Sequence, residues 1–425
     1  MVRSSGELSL LNADLPCNSQ RSSEAPRGPG GPPGRSQPVP GLARGRRGDV
    51  WAPPFPQRGR TGGADGGRLA AFPEWPRRGC FSSPVRGSGL LPPAETFCEK
   101  IIMASVWVGP RGTVQDYSGF NASRDAEAIR KAIRGIGTDE KILIDILTGR
   151  PNAQRQLIAK EYRAAAGKEL KDALKGDLSG NLERIMVALV TPPAVFDAKQ
   201  LKKSMKGSGT DEQALIEILA SRTSKQMKEV AQAYYTVYKK SLGDDISSDT
   251  SGDFRQALLT LADSRRDESQ RVDEQVAKQD AQILYNAGEK KWGTDEGKFI
   301  EVLCFSSIPQ LRLTFEEYRN LSGKKLEESI QTEMSGHFED LLLAIVKCVT
   351  STPAFFAERL HKSLKGAGTD EFTLNRILVS RSEIDLLDIR DEYKKMYGVS
   401  LYSAIKSDTS GDYGTTLLRI CGGDD

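Results

Sequence analysis

The tetrapeptide Gly-Thr-Asp-Glu occurs four times in this chain, beginning at Gly137, Gly209, Gly293 and Gly368, with separations of 72, 84 and 75 residues. Each copy has a distant companion. An acidic residue, any residue and then Ser-Gly follow at Asp177, Asp249, Glu333 and Asp408, always 40 positions after the Gly of the tetrapeptide. Two motifs kept at one offset through four copies define a structural repeat, and such repeats fold by stacking like units around a shared core. A chance origin would not hold the spacing.

The segments between the motifs carry a helical period. Residues 125–134 place Ala126, Ile129, Ala132 and Ile133 on one face, and Ile142, Leu143, Ile146 and Leu147 form the stripe of the next helix. Thr138 is the expected N-cap of that second helix, with Asp139 and Glu140 in its first turn. A third helix spans 152–166 and ends at Gly167, a short fourth spans 168–175 and stops at Gly176, and the apolar run 182–190 ends at Pro192. Alternating β-branched patterns are absent. The expected class is all-α, with five helices per repeat over 121–192, 193–264, 265–350 and 351–425, after a tail at 103–120.

Residues 1–102 are a different material. They hold 15 of the 21 prolines and carry 14 Lys and Arg against 8 Asp and Glu, leaving 46 against 49 for the rest. A Gly/Pro/Arg/Ser-rich stretch with few aliphatic residues cannot bury enough apolar surface to offset chain entropy, so this leader is expected to be disordered. The sequence Met103-Ala104-Ser105 looks like an ordinary start, and the functional protein is expected to begin near it. There is no run of 18 apolar residues, and no membrane-spanning helix is expected.

In three copies the loop before the tetrapeptide's Thr reads Gly-x-Gly: Gly135 to Gly137, Gly207 to Gly209 and Gly366 to Gly368. Glycines let successive carbonyl oxygens turn toward one point, and a carboxylate arriving 40 residues later can close the set. Carbonyls plus one carboxylate are hard oxygen ligands, suited to Ca²⁺ and not to zinc or copper. With two histidines in the whole chain, His337 and His361, most zinc sites and most histidine-based catalysis are excluded. Neither a P-loop nor an EF-hand pattern is present.

The Gly-x-Gly-Thr-Asp-Glu loop with an acid 40 residues on, in four copies, resembles the annexins. The resemblance covers about three quarters of the chain and none of residues 1–102. It implies a curved α-helical disc with calcium loops on its convex face, binding anionic phospholipid of the phosphatidylserine type reversibly. By position, the implied calcium ligands are the carbonyls of Ile133, Gly135 and Gly137 with Asp177; Met205, Gly207 and Gly209 with Asp249; and Leu364, Gly366 and Gly368 with Asp408. The third copy has the longer loop Gly288-Glu289-Lys290-Lys291-Trp292-Gly293, where Gly288, Lys291 and Gly293 would serve with Glu333. Thr138 and Glu140 are lesser calcium candidates. Trp292, flanked by Lys290 and Lys291, fits membrane contact, since tryptophan prefers the interface and lysine meets anionic headgroups.

The resemblance further implies a non-enzymatic cytoplasmic protein, reversibly at the cytosolic face of plasma, vesicle or granule membranes. It implies roles in vesicle traffic and exocytosis, and phospholipase A2 inhibition by coverage of the lipid substrate. A protein partner at the N-terminal tail is compatible with it, and no nucleic-acid partner is expected. Two other readings remain open: a helical-repeat scaffold for proteins with no lipid role and, with less support, a phosphodiesterase-type enzyme.

One position breaks the regularity. Thirteen residues after the loop Gly stand Arg150, Arg222 and Arg381, but the third copy has Ser306. Those arginines are expected to bind helix-end carbonyls or buried acids. With Gly297 weakening its second helix as well, the third repeat is expected to be the least stable. Asp197, Glu217 and Arg376 are candidates for a polar centre between repeats, and Cys304 and Cys348 for buried free thiols.

Overall fold

The computed structural model describes residues 111–134, 137–207, 209–289, 293–366 and 368–423. Every regular element among them is a helix. The first repeat contains Ala122–Ile133, Glu140–Thr148, Asn152–Ala166, Leu170–Asp177 and Gly180–Leu189, and the second Pro193–Ser204, Glu212–Ser221, Ser224–Tyr238, Leu242–Asp249 and Gly252–Ala262. The third contributes Glu274–Ala287, Glu296–Phe305, Ile308–Ser322 and Leu326–Glu333, and the fourth Glu371–Arg381, Leu386–Tyr397, Leu401–Asp408 and Gly411–Cys421. Between them runs Gly336–Leu364, whose backbone leaves the helical region at Ser351 (φ −156°, ψ 102°). This segment is long and apolar enough to cross a membrane by length and composition alone. The break at Ser351 and its burial among the other helices make it two consecutive core helices.

Amphipathic stripes of the first, second and fifth helices close onto one continuous apolar core, with Ile129, Leu143, Leu147, Ile185 and Leu189 at its first-repeat end. Burying a side chain of this size contributes roughly 1.5–3 kcal/mol, so the many buried aliphatic residues account for the cohesion of the repeats. A tyrosine sits 25 residues after each loop Gly, and all four (Tyr162, Tyr234, Tyr318 and Tyr393) are buried. Their hydroxyls find polar partners where the repeat provides one, such as Asp245 for Tyr234 and Ser329 for Tyr318. Buried phenols need such partners.

Polar links then tie repeats together. Arg155 donates to Glu383 at 2.7 Å and Arg419 pairs with Asp145 at 2.6 Å, joining first and fourth repeats. Glu217 of the second repeat, fully buried, accepts from Arg376 of the fourth at 2.8 and 2.9 Å and from Arg359 at 3.2 Å. Burial alone would raise the Glu217 carboxyl, but Arg376 and Arg359 offset it and hold it below the usual glutamate range. Asp197, expected in the same centre, instead pairs with Arg222 of its own repeat at 2.7 Å. Cys304, Cys348 and Cys421 are buried free thiols, and burial pushes the first two up to about 12.

Candidate metal centre

Each Gly-Thr-Asp-Glu loop is closed by a backbone bond across its own base. The Asp N–H donates to a carbonyl near the end of the preceding helix: Asp139 to Ala132, Asp211 to Ser204, Asp295 to Ala287 and Asp370 to Ser363, at 2.8–3.0 Å. Gly207 and Gly366 take φ of 126° and 132°, a region that side chains with a Cβ rarely enter, and a Cβ at either position would meet open space. Backbone geometry, not crowding, therefore requires glycine there.

The expectation that Thr138 caps the second helix is corrected. Asp139 is the N-cap, its Oδ1 accepting from Ile142 N at 3.1 Å, and Asp211 and Asp370 do the same at Ala214 and Thr373. The threonine is engaged elsewhere. Thr138 donates to the carbonyl of Asp177 at 3.4 Å, Thr210 to that of Asp249 at 3.4 Å, Thr294 to that of Glu333 at 3.3 Å and Thr369 to that of Asp408 at 3.4 Å. Thr369 also reaches Asp408 Oδ2 at 3.2 Å. The same hydroxyl in all four copies thus fastens the distant acid to the loop. Sequence reading missed this bond, although the Thr in every copy was a visible clue to it.

The four acids share a setting. Asp177, Asp249, Glu333 and Asp408 are each the last residue of the short fourth helix, which continues through Gly176 in the first repeat and does not stop there. The next residues but two, Gly180, Gly252, Gly336 and Gly411, turn the chain with φ of 60–68° into the fifth helix. A carboxylate at a helix C-terminus faces the negative end of the macrodipole and is disfavoured there. None of the four forms an ion pair among the described residues. Four carboxylates without an ion pair, at unfavourable helix ends and each held against a glycine loop, could take an added cation.

The donor set narrows which cation. Among the described residues no group of three or more His, Cys, Asp or Glu gathers to hold a metal. In each copy the threonine bond instead brings a single acidic residue to a glycine loop, and one carboxylate with main-chain oxygens is a donor composition that fits Ca²⁺. Ile133, Gly137, Met205, Gly207, Gly209, Gly288, Gly293, Leu364, Gly366 and Gly368 all lie at the edges of these loops. Glu140 is the first residue of its helix. Gly135, Lys290, Lys291 and Trp292 lie outside the described residues. The third loop differs from the others in having Glu289 drawn aside, accepting from Lys324 at 2.9 Å and from Ser329 at 2.9 Å.

The annexin family profile matches the sequence four times, over residues 124–189, 196–261, 279–345 and 355–420. The chain belongs to the annexin family. It is 78% identical over 323 residues to annexin A3 of Homo sapiens and 77% identical over 323 to annexin A3 of Mus musculus, in each case 76% of this chain and all of the relative. Among solved structures it is similar to annexin III, with TM-score 0.74 and 78% identity over 76% of this chain and all of that one. A calcium-bound annexin (Sm)1 aligns with TM-score 0.68 and 37% identity, over 75% of this chain and 95% of that one. Annexins are in general non-enzymatic proteins that bind calcium and, through it, phospholipid membranes.

Proposed function

We propose that this annexin binds anionic phospholipid surfaces in a calcium-dependent, reversible manner through its four loops. The observation that supports this most is the unpaired carboxylate fastened beneath each loop by the threonine hydroxyl. Asp177, Asp249, Glu333 and Asp408 would hold Ca²⁺ together with the loop carbonyls of Ile133, Gly135, Gly137; Met205, Gly207, Gly209; Gly288, Lys291, Gly293; and Leu364, Gly366, Gly368. Thr138 and Glu140 are secondary candidates. Three carbonyls and one bidentate carboxylate supply five oxygens where Ca²⁺ takes 6–8, leaving positions for water or a lipid phosphoryl oxygen. The bound ion supplies positive charge that attracts the headgroup.

One carboxylate per ion makes each site weak alone, so the repeats act through avidity, which raises apparent affinity by about 10²–10⁴ over one site. Lys290, Lys291 and Trp292 of the third loop would add headgroup attraction and interfacial insertion. In this reading the protein is cytosolic and moves to phosphatidylserine-bearing plasma, vesicle or granule membranes when calcium rises. Roles in vesicle traffic and exocytosis, and inhibition of phospholipase A2 by covering its substrate, follow from surface coverage. A protein partner would engage the N-terminal tail.

Co-sedimentation with vesicles tests the reading. Pelleting is expected with phosphatidylserine and calcium together, reversed by chelator, and the Asp249→Asn/Asp408→Asn double variant should need several-fold more calcium. Pelleting in chelator, or none with calcium and phosphatidylserine, would overturn it.

A further inference from the structure

A second feature lies beside the loops and uses none of their acids. Where the first, second and fourth repeats meet, a cavity of about 440 Å³ is walled by Lys175, Arg184, Lys199 and Lys203 over an apolar floor of Phe196 and Phe372. Glu183 is the one carboxylate in its lining, which leaves four cations against one anion. None of the four cations forms an ion pair among the described residues. Arg184 is steadied by Asn181 Oδ1 at 2.6 Å and lies over the Phe372 ring at 4.8 Å, and Lys203 caps the same ring at 2.9 Å.

Such a cluster is costly without an anion. Burial first, and then repulsion from Lys171 and Lys175, holds the Lys199 ammonium below the usual lysine range. Phe372 is 44% exposed, and its ring is engaged by both Arg184 and Lys203. Repulsion among ammonium groups over a low-dielectric floor is relieved by an anion whose charge is dense enough to meet several of them at once.

We propose that this cavity is a calcium-independent site for an anion bearing two or more closely spaced phosphates. Phosphates fit better than an acidic peptide. A peptide spreads its carboxylates along an extended chain, whereas these cations converge from two neighbouring repeats on one compact space. The adjoining groove runs from Lys203 and Phe372 to Gly209 and Thr210 of the second glycine loop. A phosphate-rich lipid headgroup and a soluble polyphosphate share the required chemistry. The site needs no calcium, so it stands or falls apart from the reading above.

The test uses the full chain and the triple variant Lys175→Gln/Lys199→Gln/Lys203→Gln, whose altered side chains form no ion pairs that folding would lose. Thermal melting and calcium-dependent pelleting on phosphatidylserine vesicles check that the variant is folded and that its loops are intact. In calcium-free buffer, inorganic tripolyphosphate should bind the wild type saturably. The triple variant should bind at least tenfold more weakly, given about fivefold per lysine near an anionic partner. Vesicles containing phosphatidylinositol bisphosphate are then compared, still without calcium, with phosphatidylserine vesicles of matched charge. A wild-type gain on the bisphosphate vesicles that is lost in the triple variant assigns a headgroup, and tripolyphosphate binding alone assigns a soluble ligand. No tripolyphosphate binding by the wild type, or equal binding by the variant, would overturn the proposal. So would equal affinity for a polyglutamate peptide, which would mark a peptide surface.

Discussion

The second and third repeats place a glutamate eight residues after the loop Gly, Glu217 and Glu301, and bury only the first. Glu217 lies between Arg376 and Arg359 with no exposed surface, whereas Glu301 pairs at the surface with Lys298 at 2.7 Å and is half exposed. The same contrast runs through the arginine position. Arg222 pairs with buried Asp197 at 2.7 Å, while Ser306 has no side chain able to do this and its carbonyl accepts from Arg266 of the preceding linker at 3.0 Å. Arg266, from the segment ahead of the first helix of the third repeat, thus caps the helix end at Ser306 with a side chain that Ser306 itself lacks. Repeats that look alike in pattern therefore differ in how much buried charge they carry: the second is a junction, the third a periphery.

The largest expected effect follows from that difference. Removing Glu217 strands two arginines, one of them buried, and breaking a buried pair by deleting one partner costs about 3–5 kcal/mol. Glu301→Ala should cost less than about 0.5 kcal/mol, because exposed pairs contribute little. Denaturant unfolding of the two variants checks the contrast. Equal losses would mean that the two repeats are energetically alike after all.

A second contrast is in pH. In the second repeat Asp245 accepts from Lys202 at 2.6 Å, from Lys240 at 2.9 Å and from the Tyr234 hydroxyl. Burial would raise its carboxyl, but these donors outweigh burial and hold it well below the usual aspartate range. A depressed carboxyl gives stability that is present above the unfolded value near 4 and is lost as pH falls toward the folded one. In the third repeat Asp280 goes the other way, pushed up to about 6 by burial and then by Glu301. A raised carboxyl costs nothing below pH 4 and imposes its penalty in full above about 6. Asp245→Asn should flatten the loss of stability below pH 4. Asp280→Asn should gain about 1 kcal/mol at pH 7 after allowance for solvent screening, and nothing at pH 4. Thermal melts at the two pH values read both signs, and a gain at pH 4 for Asp280→Asn would contradict the assignment.

The fold was legible because the helical period, the Pro and Gly stops and the fourfold motif all agree, as in the helix Asn152–Ala166 closed by Gly167 in the left-handed region. Agreement between local pattern and repeat is what makes a sequence readable. The candidate centre was legible as residues but not as bonds. Spacing alone brings Asp177 near its loop, yet it does not reveal that Thr138 reaches the Asp177 carbonyl and leaves the cap to Asp139. Pairings across repeats were harder still. Asp197 was grouped with Glu217 and Arg376 because all three are charges on apolar helices, but which acid meets which arginine depends on how the repeats pack, and Arg222 lies nearer. The role of Arg266 had no sequence trace, since it is a linker residue whose partner is a main-chain oxygen.

The smallest expected effect concerns Gly297, the second residue of the helix Glu296–Phe305. Its position is exposed and its φ is ordinary, and a Cβ there would meet Asp295 Oδ1 at 3.5 Å, an ordinary contact. Nothing in the structure calls for glycine, so its effect is the entropy it adds to the unfolded chain. Gly297→Ala should stabilise by about 0.5–1 kcal/mol. Hydrogen exchange reads where the gain falls: amides of Glu296–Phe305 should exchange faster than those of Glu212–Ser221 in the wild type, and the substitution should narrow the gap. Equal protection of the two helices before substitution would show that the linker arginine fully replaces what Ser306 lacks, and that the third repeat is not the weak quarter.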